Sequence, residues 1–194
     1  MHSDNSKISD VFKDLSFSEA EIEIIESVMF KIDLKKGIKI IKAGDTVKDM
    51  YFVLQGCLRA FHIDIHGKEH TVQFAIKGWW ITDFTAFFTE SKAIMDLEVL
   101  RDATIYRLSK DDREYMFSQI PATETFIRKK LENAYAAFQK RILRNLSQSA
   151  SQRYVNFVKD FPNIEKNIKN YHIASYLGIT TESLSRIRKE ITRH

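Results

Sequence analysis

The stretch NYHIASYLGITTESLSRIRKEITRH, residues 170–194, decides how the rest of the chain is read. Its spacing predicts two short helices joined by a tight turn. Ile173, Ala174 and Leu177 fall on one helical face. Gly178 supplies a residue that takes φ > 0 at the break without a Cβ to clash. Thr180 or Thr181 can cap a second helix, because a hydroxyl there accepts from otherwise orphan backbone N–H groups. Leu184, Ile187 and Ile191 recur at three- and four-residue spacing as that helix's apolar stripe. Around the stripe lie Thr181, Glu182, Ser185, Arg186, Arg188 and Lys189, a polar and largely basic outer face. A helix that is apolar behind and donor-rich in front has the make-up of a helix-turn-helix that enters a DNA major groove. The competing reading of this stretch alone is an αα-hairpin in some helical domain.

Charge supports the first reading. From Lys140 onward there are eleven Lys/Arg against four Asp/Glu, a balance of +7, which leaves −3 for the first 139 residues of a chain carrying +4. A basic back half suits a polyanionic partner; a solvated basic surface is the plainer alternative. Composition sets further bounds. Hydrophobic residues make up 44% of the 194, with 14 Phe, enough for a sizeable core. The single cysteine, Cys57, cannot supply a disulfide framework, a cysteine-rich zinc site or an iron–sulfur cluster from this chain. The N-terminal MHSDNSKISD lacks an apolar signal region, and no run reaches membrane-span length. A soluble cytoplasmic protein is expected.

Working back toward the N-terminus, Leu146 to Ala150 is a plausible hinge, its serines favouring a local cap or turn. Before it, Phe126, Ile127, Leu131, Ala134, Tyr135, Phe138, Ile142 and Leu146 repeat every three or four residues. They predict a helix from about Ala122 to Leu146, roughly 37 Å long. Such a seam suits a homodimeric coiled coil; packing lengthwise on the chain's own core is the alternative. Ser109-Lys110-Asp111-Asp112 caps a preceding helix that gives way near Pro121.

Between Phe30 and Leu108, β-branched and aromatic runs alternate with turn signals at Lys36-Gly37, Ala43-Gly44-Asp45, Gln55-Gly56, His66-Gly67-Lys68 and Lys77-Gly78. This predicts an antiparallel sandwich or barrel of about eight strands. Residues 59–63 and 71–75 would form a hairpin around His66-Gly67. Trp79 to Glu90 is too densely aromatic for an alternating strand and reads as a loop or short helix. Residues 7–30 read as helical, with Ser18 and Glu21 forming a capping box and Ile22, Ile25, Val28 and Met29 the buried stripe.

This order of elements resembles the Crp/Fnr family of bacterial transcription regulators. Two stretches carry the resemblance. Residues 40–45 (IIKAGD), followed after five residues by 51–56 (YFVLQG), are similar to the family's cyclic-nucleotide-domain signature, in which two glycines turn the chain at either end of a buried strand. Residues 173–188 are similar to its helix-turn-helix almost position by position. Pro121 and Arg153 also fall where the family tends to have a proline and an arginine.

The resemblance implies an α+β chain. An N-terminal jelly-roll-like β-barrel with flanking helices, residues 1–120, would act as sensor. A long dimerisation helix, 121–147, would lead to a small all-α helix-turn-helix domain, 148–194. It implies a homodimeric regulator that binds double-stranded DNA, with RNA polymerase and an unidentified small-molecule effector as further candidate partners. Thr181, Glu182, Ser185 and Arg186 would face base edges. Arg188, Lys189 and Arg193 would touch phosphate or face water, and Thr180 would cap the helix and contact a phosphate.

The effector region departs from the family. Members that bind cyclic AMP carry Gly-Glu at the start of a short helix and Arg-Ser after it. Here Thr82-Asp83 stands in the first place and Ala93-Ile94 near the second, with Lys92 one residue away. A buried phosphate without a cation is costly, so cyclic AMP is not the expected effector. Trp79, Trp80, Phe84, Phe87 and Phe88 suggest an apolar ligand or a pocket filled by side chains. Phe138 and Gln139 fall where the family's long helix touches the effector. The expected effector-region residues are therefore Trp80, Thr82, Asp83, Phe84, Phe138 and Gln139.

His62, His66 and His70 sit on a hairpin and read as surface histidines rather than metal ligands, so no metal and no cofactor is expected. The chain also stops after the second helix, where family members usually continue into a β-wing; reading of DNA would then rest on the face from Thr180 to Lys189. No Gly-rich phosphate loop, Gly-x-Ser-x-Gly elbow or His-Glu-x-x-His motif is present, and an enzyme is not expected. The alternative function is an effector-binding or protein-interaction module whose helical tail no longer reads DNA.

Overall fold

The structure is a computed structural model and describes residues 8, 11–162, 164–166 and 168–192. Arg193 and part of the early helical expectation, at residues 7, 9 and 10, lie outside the described residues. The chain forms two compact units. One comprises the residues up to Ala60 together with Phe74–Glu132; the other comprises Phe61–Gln73 and the residues from Asn133 on.

The antiparallel sheet has strands β1 (Phe30–Leu34), β2 (Lys39–Ile41), β3 (Asp49–Ile63), β4 (Glu69–Ala75), β5 (Trp80–Ile81) and β6 (Asp96–Ser109), all of them in the first unit except residues 61–63 of β3 and 69–73 of β4. The order is β1-β6-β3-β4, with β2 also on β6 and β5 also on β3. Among the described residues, six strands stand where about eight were expected. The reason is that β6 pairs with β1 through residues 103–107 and with β2 through 97–98, so one long strand serves two partners. β3 likewise runs straight through the Gln55-Gly56 turn signal. Gly56 takes φ +95 inside the strand, and a Cβ there would lie 2.5 Å from the Asp102 carbonyl oxygen and 2.6 Å from Ala103 Cα. It marks a close approach of β3 to β6, not a turn.

Helix α1 is shorter than the expected 7–30. It spans Glu19–Val28 and begins at the Ser18–Glu21 capping box. Upstream, Asp14 takes φ 76, a left-handed value that ends any regular helix. Phe12 is nevertheless buried, edge-on to Phe17 and Phe126 at 5.8 and 5.5 Å. Ile25, Val28 and Met29 are buried as expected, with Ile22 partly so. Helix α2 (Phe84–Thr89) occupies the aromatic stretch. Helix α3 (Lys110–Gln119) is capped by Ser109, which accepts from the Asp112 N–H.

Helix α4 spans Pro121–Ser147, with proline at the first helical position, where its missing N–H costs nothing. Its N-terminal part is buried at Ile127 and partly at Phe126 and Leu131, within the first unit's core.

The second unit contains the rest of α4, then α5 (Ala150–Asp160), a 3-10 turn (Ile164–Lys166), α6 (Asn170–Leu177) and α7 (Thr181–Ile191). Ser149 caps α5 through a capping box with Gln152. Gly178 ends α6 with φ 66 and ψ 36. Its N–H donates to the Ser175 carbonyl, and the Ile179 N–H reaches back to the Ala174 carbonyl at 3.0 Å, the paired bonds of a Schellman ending. Thr180, not Thr181, caps α7, accepting from the Ser183 N–H at 3.2 Å. Leu184 and Ile187 are buried against α5 and α6, but Ile191 is 40% exposed. The apolar stripe of α7 thus ends at Ile187, one turn earlier than expected.

Candidate nucleic-acid interface and effector region

The outer face of α7 follows from its buried one. With Leu184 and Ile187 turned to the core, Thr181, Glu182, Ser185, Arg186 and Lys189 line one shallow, open concavity. Five of the seven residues expected to meet DNA are therefore brought together. The Arg186 side chain is 74% exposed and only loosely paired, 4.0 Å from Glu190. Glu182 accepts from the Thr181 hydroxyl at 3.0 Å. Its own backbone N–H first, then the Thr180 and Thr181 hydroxyls, hold its carboxyl below the usual range, so it stays an anionic acceptor. The exposed Ser185 hydroxyl donates back to the Thr181 carbonyl at 2.9 Å, so its proton is engaged and its oxygen can still accept.

The other two of the seven sit differently. Thr180 spends its hydroxyl oxygen on the helix cap. Arg188 is engaged inside the helical unit. Its Nε donates to the Tyr154 hydroxyl at 3.1 Å, its Nη1 to Asn170 Oδ1 at 2.7 Å, and its Nη2 lies 3.6 Å from Glu165 Oε2.

Side chains away from the α7 face tie this unit together, and of these only Arg153 stood out in the sequence. Arg141 on α4 lies over the Tyr176 ring at 4.6 Å and donates to the Val72 carbonyl. Ser175 bonds the hairpin at Glu69 and Thr71. Arg144 pairs with Asp160 at 2.6 Å, and Arg153 donates to the Gln148 and Leu177 carbonyls at 2.8 and 3.3 Å. A serine in the otherwise apolar run IASYL was the one available signal for such a contact.

In the first unit, the effector-region residues are turned inward. The Thr82 hydroxyl donates to the Asp49 carbonyl at 2.8 Å. Asp83 is 1% exposed. One of its oxygens accepts from the Ala86 N–H at 3.2 Å, capping α2; the other accepts from Ile94 and Met95 at 2.8 and 3.1 Å. A carboxylate thus already occupies the backbone donors at both ends of this loop. Trp80 is buried and edge-on to Phe52 at 5.2 Å. Phe84 stacks on Phe88 at 5.6 Å. Lys92, the nearby cation, donates instead to the Thr46 hydroxyl at 2.9 Å. Phe138 and Gln139 belong to the second unit, where Gln139 donates to the Tyr135 hydroxyl at 3.0 Å.

Cys57 is buried, and burial pushes its thiol up to about 12, which removes thiolate chemistry at neutral pH. The histidine hairpin is organised by Asp64. Its carboxylate accepts from the His66 and Lys68 N–H groups at 2.9 and 3.0 Å and lies 2.7 Å from His70 Nε2.

Residues 31–119 match the cyclic nucleotide-binding domain family. Over 96% of its length the chain is 20% identical to the fumarate and nitrate reduction regulatory protein of Vibrio cholerae, of which the match covers 79%. It is 21% identical, again over 96% of the chain, to the anaerobic regulatory protein of Aggregatibacter actinomycetemcomitans, with 77% of that protein covered. Among solved structures, the c-di-GMP responsive global regulator CLP of Xanthomonas campestris superposes with a TM-score of 0.72 at 13% identity, covering 91% of this chain and 92% of that one. A Crp/Fnr-family transcriptional regulator of Thermus thermophilus superposes at 0.66 and 19% identity, covering 84% and 86%. At these identities the structural likeness establishes the fold. Among the described residues, no helix is long and apolar enough to cross a membrane.

Proposed function

We propose that this chain, a DNA-binding transcription regulator of the Crp/Fnr family, reads duplex DNA as a homodimer through α7. The observation that carries the reading is the shared concavity of Thr181, Glu182, Ser185, Arg186 and Lys189 above a buried Leu184 and Ile187. Arg186 offers a bidentate donor pair suited to guanine, and Glu182 an acceptor suited to cytosine. Lys189 would add phosphate attraction.

The dimer would form along α4. Tyr135, Phe138, Ile142, Leu143 and Leu146 follow helical spacing and are exposed in the single chain, Leu146 at 80%. An apolar stripe of this kind is stabilised by a second copy. The functional division is a sensor at 1–120, a dimerisation helix at 121–147 and a reading domain at 148–194.

Cyclic AMP is not the effector in this reading, because the Asp83 carboxylate holds the loop's backbone donors and would repel a phosphate. The protein regulates in the cytoplasm and catalyses nothing. Titrating the full chain against random duplex DNA at increasing salt tests the central step. Affinity should fall steeply as salt rises, in proportion to the phosphates contacted. A flat salt response would contradict it.

A further inference from the structure

Arg188 lies on α7 and is partly buried, yet it is absent from the concavity lined by Thr181, Glu182, Ser185, Arg186 and Lys189. Its guanidinium reaches three separate elements. Nε donates to Tyr154 on α5, Nη1 to Asn170 at the start of α6, and Nη2 approaches Glu165 in the 3-10 turn. Tyr154 closes the circuit by donating to Glu165 Oε2 at 2.6 Å, and its ring lies 5.6 Å from the guanidinium.

We propose that Arg188 is a positioning residue that fixes how α7 is rotated on α5 and α6, and that it does not contact nucleic acid. The inference rests on the DNA-reading function proposed above. Three partners at three angles set both the rotation and the tilt of the helix. That in turn sets where Glu182 and Arg186 point. A charge compensated by Glu165 also has little field left for a phosphate. The planar fork is essential, since a lysine carries the same charge but cannot hold the same three partners. Burial, then the Glu165 carboxylate, pushes the Tyr154 hydroxyl up, so it remains a protonated link in the network.

The test uses the full chain, a duplex selected by the wild type from random DNA, and an unselected duplex of equal length. Arg188→Lys, Arg188→Ala and Tyr154→Phe are compared after circular dichroism shows that each is folded. If Arg188 positions the helix, all three keep the wild-type salt slope on unselected DNA. All three lose roughly tenfold in discrimination between the two duplexes, in line with the loss of a charge-assisted hydrogen bond. The proposal is overturned if Arg188→Ala lowers the salt slope by about one and Arg188→Lys restores it, the behaviour of a phosphate contact. A wild type with no salt-dependent affinity is a different outcome: it overturns the DNA-reading function itself, and the role of Arg188 with it.

Discussion

The Ser175 hydroxyl donates to the Glu69 carbonyl at 2.7 Å, and the same oxygen accepts from the Thr71 N–H at 2.8 Å. One side chain of α6 therefore completes two backbone positions of the β3–β4 hairpin. Replacing Ser175 with Ala removes both bonds, and should destabilise the second unit by roughly 1–3 kcal/mol. Hydrogen exchange at the Thr71 amide measures it directly. Exchange should speed up in the variant; unchanged protection would show that the hydroxyl contributes nothing.

The stripe on α4 makes a separate prediction. Leu143 and Leu146 are among its most exposed members. A glutamate at either position places charge inside the proposed dimer seam without disturbing the monomer's core. Sedimentation velocity should show a dimer for the wild type and a monomer for Leu143→Glu, with the melting of the monomer core retained. A monomeric wild type would remove the dimer altogether, and a Leu143→Glu variant that stays dimeric would move the interface elsewhere.

Asp83 yields the third. Its buried carboxylate accepts three backbone N–H groups across ten residues of chain. Asp83→Ala should lower the stability of the first unit by roughly 1–3 kcal/mol, read by denaturant unfolding. In parallel, cyclic AMP should leave the wild-type melting temperature unchanged. A rise with nucleotide concentration would mean that the loop opens to admit it.

Acid should loosen the histidine hairpin in a defined window. Hydrogen bonding to His70, then to the Lys68 N–H, lowers Asp64 from 3.8 to about 2. The folded value lies below the unfolded one, so the carboxylate's contribution is complete above pH 3.8 and is lost as pH falls through about 2. The stability difference between wild type and Asp64→Asn should be full-sized at pH 4 and shrink toward zero as pH falls to about 2. A difference that grows on acidification would reverse the sign of the argument.

What could be read from the sequence was local. The Ser18–Glu21 box, the Ser109 cap and the Gly178 break depend on neighbours within a few residues, and each formed as expected. Asp83, immediately before the helical run Phe84–Thr89, carries a cap signal of the same local kind and forms that cap. Where the structure goes beyond the local pattern, a distant partner is the reason. Gly56 has the look of a turn residue, and only the Asp102 backbone, far along the chain, makes it a point of close strand approach. Arg188 follows the polar period of α7 faithfully. What distinguishes it from Arg186 is the presence of Tyr154 and Glu165, whose proximity no spacing rule encodes. Ile191 likewise keeps the period but lies beyond the surfaces that cover Leu184 and Ile187.

The most direct measurement of the central claim is selection of binding sites from random duplex DNA by the full chain, repeated with Arg186→Ala. The wild type should enrich an inverted repeat whose half-sites are centred about one helical turn, roughly 34 Å, apart, and Arg186→Ala should lose the preference at one base pair in each half-site while remaining a dimer. Enrichment of no site, or of the same site with equal strength by Arg186→Ala, would contradict the account.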